Sequence, residues 1–157
     1  MRYVAFVRAI NVGGHQPIKM AELRERFYDA GATNVATYIQ SGNVVFAHEA
    51  KDPAPLLAKA TGFSIIVRTA RQLANVVKAN PFASEPTTNL HVLFLSDKTK
   101  VQVAAVAPER YLQRGSDVFV CLPAGAGRSK LAAGLGKLGG TLRNWRTVET
   151  LAAMSQA

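Results

Sequence analysis

Apolar residues in the first part of the chain recur with two periods. Alternation in segments rich in Val, Ile and Phe predicts strands, whereas apolar residues three or four positions apart predict amphipathic helices. The predicted strands are residues 3–10, 35–40, 43–47 and 64–68. The predicted helices are one that carries Met20, Leu23, Phe27 and Ala30 and ends at Gly31, and a shorter one from Asp52 and Pro53 to about Gly62. The order β-α-β-β-α-β predicts an α+β protein whose residues 1–69 form a ferredoxin-like, split βαβ lobe.

The later part of the chain has a similar order of predicted elements. Thr69 and Gln72 have the spacing of a capping box and predict a helix in a connection that spans residues 70–89. The strands predicted after it are residues 90–95, 111–114 and 118–122. The helices predicted after it run from Asp97 to about Ala107, from a cap at Ser129 and from a cap at Thr147. Residues 90–157 are therefore expected to form a second βαββαα lobe, either apart from the first or in one compact unit with it.

The composition is that of a globular protein. The chain has 157 residues, of which 48% are hydrophobic and 18% charged. No apolar run approaches the roughly 20 residues that span a bilayer, so no membrane segment is expected. Cys121 is the single cysteine, which excludes an internal disulfide and is typical of proteins of the reducing cytoplasm.

Charge adds an indication of function. Nineteen Lys and Arg against ten Asp and Glu give a net charge of +9. The excess is uneven, because residues 118–148 contain five basic side chains and no acid. Such a field attracts phosphates, nucleic acid or anionic metabolites. The alternative is that the charge serves solubility alone.

Glycine-bearing polar turns are the best candidates for an anion site. In residues 125–130 two glycines precede Arg128, Ser129 and Lys130 at a predicted strand-to-helix junction. Backbone N–H groups and a helix N-terminus can hold an anion there, although the spacing is not that of a Walker A loop. The alternative is a turn in which Ser129 only caps a helix. The predicted ligand-binding residues are Asn11, Gly13, Gly14, Ser41, Asn43, Arg68, Gly125, Gly127, Arg128, Ser129, Lys130, Arg143 and Asn144.

Other chemistry has weaker support in the sequence. Trp145 lies between two arginines and could stack on a base, but a buried anchor for the last helix is the favoured interpretation. The histidines are scattered and have no cysteine partner, so no metal site is predicted, and no cofactor is implied. Cys121 is expected to be a buried thiol and not a nucleophile.

Several short motifs occur in an order that resembles a known family. They are RAINVGG at 8–14, KMAELR at 19–24, YIQSGNVVF at 38–46, VRT at 67–69, NPF at 80–82, GRSKL at 127–131 and RNWRT at 143–147. Together they resemble the bacterial family called domain of unknown function 1697. The resemblance implies an α/β protein without an established activity, so it assigns no catalytic residue.

Three functions remain open at this point. The first is a binding protein for a phosphate-bearing partner, either a small molecule or nucleic acid, with the predicted residues lining one cleft. The second is a metal-independent enzyme in which Lys130 or Arg143 stabilises negative charge on a small anionic substrate. The third is an interaction or scaffold protein whose turns only maintain the fold. The oligomeric state is left open.

Overall fold

The chain forms two compact units. A computed structural model describes residues 1–8, 18–39 and 42–156. The first unit consists of Met1–Ala74 together with Leu151–Ala157, and the second consists of Asn75–Thr150. The predicted ranges were 1–69, 70–89 and 90–157, so the observed division differs by returning the last residues of the chain to the first unit. Arg2 contacts these last residues, since its guanidinium donates to the carbonyl oxygens of Met154 (3.1 Å) and Ser155 (3.3 Å).

The first unit has the predicted ferredoxin-like topology. Its elements are β1 (Arg2–Val7), α1 (Met20–Asp29), β2 (Thr33–Tyr38), β3 (Asn43–Ala47), α2 (Ala54–Thr61), β4 (Ile65–Thr69) and the start of α3 (Ala70–Lys78). The strands form an antiparallel sheet of order β2-β3-β1-β4. This is the strand order that a split βαβ unit produces, so the fold class predicted for this part is confirmed.

The core of the first unit lies on one face of its sheet. Alternate residues of β1, among them Tyr3 and Ala5, point to this face and pack with Phe27 of α1, Phe46 of β3 and Leu57 of α2. The Phe46 ring is stacked on Tyr3 with centroids 5.5 Å apart and meets Phe27 edge-on at 5.3 Å. The apolar residues that alternate with them in β1 are buried as well, so the period of two assigns residues to this cluster and does not separate a buried face from an exposed one.

The second unit repeats this sheet with one fewer helix. Its elements are the end of α3, a 3-10 turn (Thr87–Asn89), β5 (Leu90–Phe94), β6 (Arg110–Arg114), β7 (Asp117–Cys121), α4 (Lys130–Gly136), β8 (Thr141–Asn144) and the start of α5 (Trp145–Gln156). The sheet order is β6-β7-β5-β8, which corresponds strand for strand to β2-β3-β1-β4. The prediction of two similar halves is thus confirmed, with elements in the order β-β-β-α-β-α in the second.

Equivalent residues of the two halves make equivalent contacts. Val4 lies opposite Arg68 in the first sheet as Val92 lies opposite Arg143 in the second. The residue after each arginine caps the next helix: Thr69 Oγ1 accepts from the N–H of Gln72 (3.0 Å), and Asn144 Oδ1 accepts from the N–H of Thr147 (2.9 Å). The two halves therefore share an arginine, a helix cap and a helix at the same place in the topology.

The helix predicted from Asp97 to Ala107 is wrong, because this segment is irregular and contains no helical residue. Val101 is buried and Val103 half-buried against the core of the second unit. Backbone N–H groups that a helix would satisfy internally are bonded to side chains of β6, since Val101 N–H donates to Gln113 Oε1 (2.8 Å) and Val103 N–H to the Tyr111 hydroxyl (3.1 Å). Tertiary contacts with β6 thus replace the missing helix.

The last part of the chain also corrects the prediction. Thr141–Asn144 forms β8, an edge strand that the sequence pattern did not indicate. The following helix begins at Trp145 and is capped by Asn144, so the predicted cap at Thr147 is wrong. Four residues give too short a run for period-two alternation to be recognised.

None of the described helices combines the length and the apolar character needed to span a bilayer.

Candidate functional site

A pocket of about 320 Å³ lies in the second unit, beside the glycine-bearing loop. One wall comes from the loop and the start of α4, and the other from the irregular segment before β6. The lining residues are Ala104, Val106, Glu109, Ala124, Gly125, Arg128, Ser129, Lys130 and Leu131. The volume is at the low end of the range for small-molecule sites. Four of the predicted ligand-binding residues, Gly125, Arg128, Ser129 and Lys130, therefore line one pocket, and Gly127 lies in the same loop outside the lining.

The loop consists of two successive turns. The N–H of Gly125 donates to Leu122 O (2.9 Å), and the N–H of Ser129 donates to Ala126 O (3.3 Å). Gly125 has a φ of +83°, in the left-handed region that favours glycine. Within the described part of the chain, the N–H groups of residues 126–128 have no hydrogen-bond partner. The turns thus leave backbone donors available beside the pocket.

Ser129 caps α4, as the sequence predicted. Its Oγ accepts a hydrogen bond from the N–H of Ala132 (3.0 Å), and its backbone carbonyl accepts from the N–H of Ala133 (3.1 Å). The helix has seven residues, Lys130–Gly136, and its cap already uses one of the free N–H groups. The charged side chains of Arg128 and Lys130, both exposed, are therefore the main positive groups at the pocket.

The opposite wall places an acid in the pocket. A turn before β6 is closed by a hydrogen bond from the N–H of Glu109 to Val106 O (3.0 Å), and its Ala107–Pro108 peptide is cis. This turn puts half-buried Glu109 and the apolar side chain of Val106 in the lining. Side-chain hydrogen bonds from β6 hold the preceding residues against the core. The wall therefore depends on contacts between this segment and β6, and not on the helix that the sequence pattern predicts.

The three charged side chains of the pocket are not paired with one another. Within the described residues, neither Arg128 nor Lys130 has a carboxylate oxygen within 4.0 Å, and Glu109 has no basic nitrogen within that distance. All three charged groups are therefore free of ion pairs within the described residues. A bound molecule can interact with each of them without first breaking an ion pair.

Arg143 and Asn144 lie away from this pocket. Leu142 packs into the core under α4, so Arg143, the next residue of β8, points to the opposite face of the sheet. Its guanidinium donates to Leu142 O (3.3 Å), and burial lowers the pKa of Arg143 to about 10. The Asn144 side chain is engaged as the cap of α5. Their predicted part in ligand binding has no support from this geometry and remains a prediction.

The other predicted residues belong to the first unit or lie outside the described residues. Asn43 is fully buried, and its side chain donates to Tyr38 O (3.1 Å) across the β2–β3 hairpin. Arg68 is buried too, and donates to Val67 O (3.1 Å) as its counterpart Arg143 does to Leu142. The predicted residues outside the described part are Asn11, Gly13, Gly14 and Ser41.

Trp145 and Cys121 are both buried, as the sequence analysis favoured. Trp145 is 4% exposed, which agrees with a role as an anchor of α5 and leaves no open ring face for a base. Cys121 is buried as well, and desolvation raises the pKa of its thiol, so the thiolate is disfavoured. Among the described residues, no three His, Cys, Asp or Glu side chains are grouped as a metal site would require.

Sequence reasoning missed Ala104, Val106 and Glu109. The sequence pattern predicts Ala104 and Val106 within a helix and Glu109 in the connection between that helix and the next strand, and nothing in it connects them with residues 125–130. A signal was present, because Val101, Val103 and Thr99 alternate in a segment that ends at Pro108, which favours an extended chain. The two segments line one pocket because the folded sheet brings them together, and no pattern within either segment of the sequence indicates this.

Comparison with known proteins gives a family and a fold. Residues 1–121 match the family described as Protein of unknown function (DUF1697). The chain belongs to this family. The matched residues end at Cys121, so the loop at 125–130 lies beyond them. A search of curated proteins finds no match.

A solved structure shares the architecture. The conserved bacterial protein SP0830 from Streptococcus pneumoniae superposes with a TM-score of 0.79 at 23% identity, over 99% of this chain and 98% of that one. The similarity therefore covers both units, including the second one beyond residue 121. At this level of identity it shows the fold and assigns no ligand.

Proposed function

We propose that this protein binds a small anionic ligand, such as a phosphate ester, in the pocket formed by residues 104–109 and 124–131. The observation that carries the proposal is that Arg128 and Lys130 line a pocket of about 320 Å³ while neither forms an ion pair in the described part of the chain. An ion pair between a guanidinium or ammonium and a phosphate is among the stronger polar contacts in proteins.

The backbone of the loop supports the same function. The N–H groups of residues 126–128 lack partners within the described residues, and a phosphate oxygen is a suitable acceptor for them. The net charge of +9 adds a long-range attraction for anions. The single cysteine supports a location in the reducing cytoplasm, where phosphorylated metabolites are abundant.

A small ligand is favoured over nucleic acid for two reasons. The pocket is small and contains Glu109, which would repel a phosphodiester backbone. The buried Trp145 does not offer a ring on which bases could stack. Tight retention of a single-stranded oligonucleotide that falls steeply with salt would favour the nucleic-acid alternative.

The test is a titration of the protein with ethyl phosphate, in which calorimetry or NMR measures binding. Replacing both basic side chains, in Arg128→Ala with Lys130→Ala, is expected to weaken binding at least about tenfold, since hydrogen bonds to charged groups contribute about 1.5–3 kcal/mol each. Lys137→Ala is the matched control, because Lys137 is exposed at the end of α4 and does not line the pocket. Equal loss in the control, or no binding of any phosphate ester by the unaltered protein, contradicts the proposal.

A further inference from the structure

Glu109 is the feature of the pocket that a simple anion does not explain. It lines the same 320 Å³ space as Arg128 and Lys130 and is half-buried there. A carboxylate beside a bound anion repels it, and partial burial strengthens that repulsion because the local dielectric is lower than in water. A ligand that carries only negative charge would therefore be opposed by part of its own site.

The unpaired state of Glu109 within the described residues indicates what the site favours. No basic nitrogen of the described chain lies within 4.0 Å of the Glu109 carboxylate, so this group is not neutralised by an ion pair. A positive group on the ligand can take that place. The same ligand would present its negative group to Arg128 and Lys130 on the other wall.

The remaining lining describes the part of the ligand between the two charges. Ala104, Val106, Ala124 and Leu131 are apolar and small or of moderate size. They suit a short aliphatic segment, which gains by leaving water and needs no hydrogen bonds.

The chemistry of the lining also selects the type of positive group. Proteins recognise quaternary ammonium groups with aromatic cages, and none of the described lining residues is aromatic. A primary ammonium, by contrast, donates hydrogen bonds directly to a carboxylate.

We propose that the ligand of this pocket is a zwitterion, with a phosphate at Arg128 and Lys130, a primary ammonium at Glu109 and a short aliphatic segment between them. This inference rests on the proposed function and specifies the class of ligand. The class is that of aminoalkyl phosphates.

The experiment compares three probes on the unaltered protein at pH 7.5: O-phosphoethanolamine, ethyl phosphate and O-phosphocholine. Phosphoethanolamine is expected to bind at least about tenfold more tightly than ethyl phosphate, and phosphocholine to lose most of that advantage. The comparison is demanding, because the long-range attraction of a protein with a charge of +9 favours ethyl phosphate, which has the larger negative charge.

Glu109→Gln tests the partner of the ammonium. The substitution should remove the preference for phosphoethanolamine and leave ethyl phosphate bound as tightly as before, or more so. Glu149→Gln is the matched control, since Glu149 is exposed on α5 and outside the pocket. The probe comparison does not depend on this variant and still applies if Glu109→Gln fails to fold.

The possible results separate the two proposals. If ethyl phosphate binds as well as phosphoethanolamine, the zwitterion inference is overturned and the proposed function stands. An unchanged preference in folded Glu109→Gln also overturns the inference. If no probe binds, the proposed function fails, and the inference fails with it.

Discussion

His48 shows how a single side chain joins two elements of the first unit. Its Nδ1 accepts a hydrogen bond from the N–H of Ala50 (2.9 Å), so Nε2 carries the proton and donates to Ala30 O (2.8 Å) at the end of α1. Gly31 follows with a φ of +95°, and a Cβ there would lie 3.1 Å from His48 Nε2. The glycine is therefore needed both for its backbone conformation and for the space that His48 occupies.

Gly31→Ala is expected to destabilise the protein more than Gly62→Ala. Gly62 ends α2 with a φ of +75° and has no atom within 4 Å of a Cβ position, so its substitution should cost only backbone strain, about 1–2 kcal/mol. Gly31→Ala adds the weakening of the His48 hydrogen bond, about 1 kcal/mol more. Urea denaturation of both variants measures the difference, and equal losses would show that the His48 contact contributes nothing.

The caps of α3 and α4 were predicted correctly from the sequence. The Thr69–Gln72 capping box is present with both hydrogen bonds, and Ser129 caps α4. Such contacts join residues three positions apart, so their spacing is visible in the sequence. Glu109 was missed because its neighbours in the pocket are about twenty positions away, and only the folded sheet brings them together.

At the scale of elements, β6 determines the conformation of the segment before it. Gln113 is the main contact: its Oε1 accepts from the N–H of Val101, and its Nε2 donates to Thr99 O (2.9 Å) and Gly115 O (2.9 Å). This segment also packs closely on α4, since a Cβ on Gly134 would lie 2.8 Å from Val103 Cγ1. These contacts support the wall of the pocket that carries Glu109.

Gln113→Ala should therefore loosen residues 99–103 and lower the free energy of unfolding by about 1–3 kcal/mol, because a backbone donor and an acceptor lose their partners. Gln102→Ala is the control, as Gln102 is exposed in the same segment. Hydrogen exchange at the Val101 amide should become faster only in Gln113→Ala. Unchanged exchange would mean that packing alone holds the segment.

At the scale of the whole molecule, the two ends of the chain meet in the first unit. Arg2 of β1 donates to the carbonyls of Met154 and Ser155, and Gln156 Nε2 donates to Ala70 O (3.1 Å). A cation at the last carbonyls of a helix also interacts favourably with the helix dipole. The chain thus leaves the first unit at α3, forms the second, and returns at α5.

Arg2→Met keeps an unbranched side chain and removes the donors. We expect the free energy of unfolding to fall by about 1–2 kcal/mol. Two fully buried hydrogen bonds from a charged group would contribute more, but Arg2 is only half-buried and water weakens its contacts. Limited proteolysis should cut the end of α5 sooner. Arg71→Met, at an exposed position of α3, serves as the control. Similar behaviour of the two variants would argue against a role for Arg2 in holding the chain end.

The sequence by itself determined the strand and helix pattern of the first unit, the caps of α3 and α4, and the basic character of residues 118–148. These are local properties, since apolar periodicity, capping distances and charge are read within a few residues. Tertiary structure decided that residues 99–103 are not helical, that β8 completes the second sheet, and that Arg143 faces away from Arg128 and Lys130. The reason is that these outcomes depend on hydrogen bonds and packing between residues distant in the chain, which override local helix preference and decide which polar side chains share a pocket.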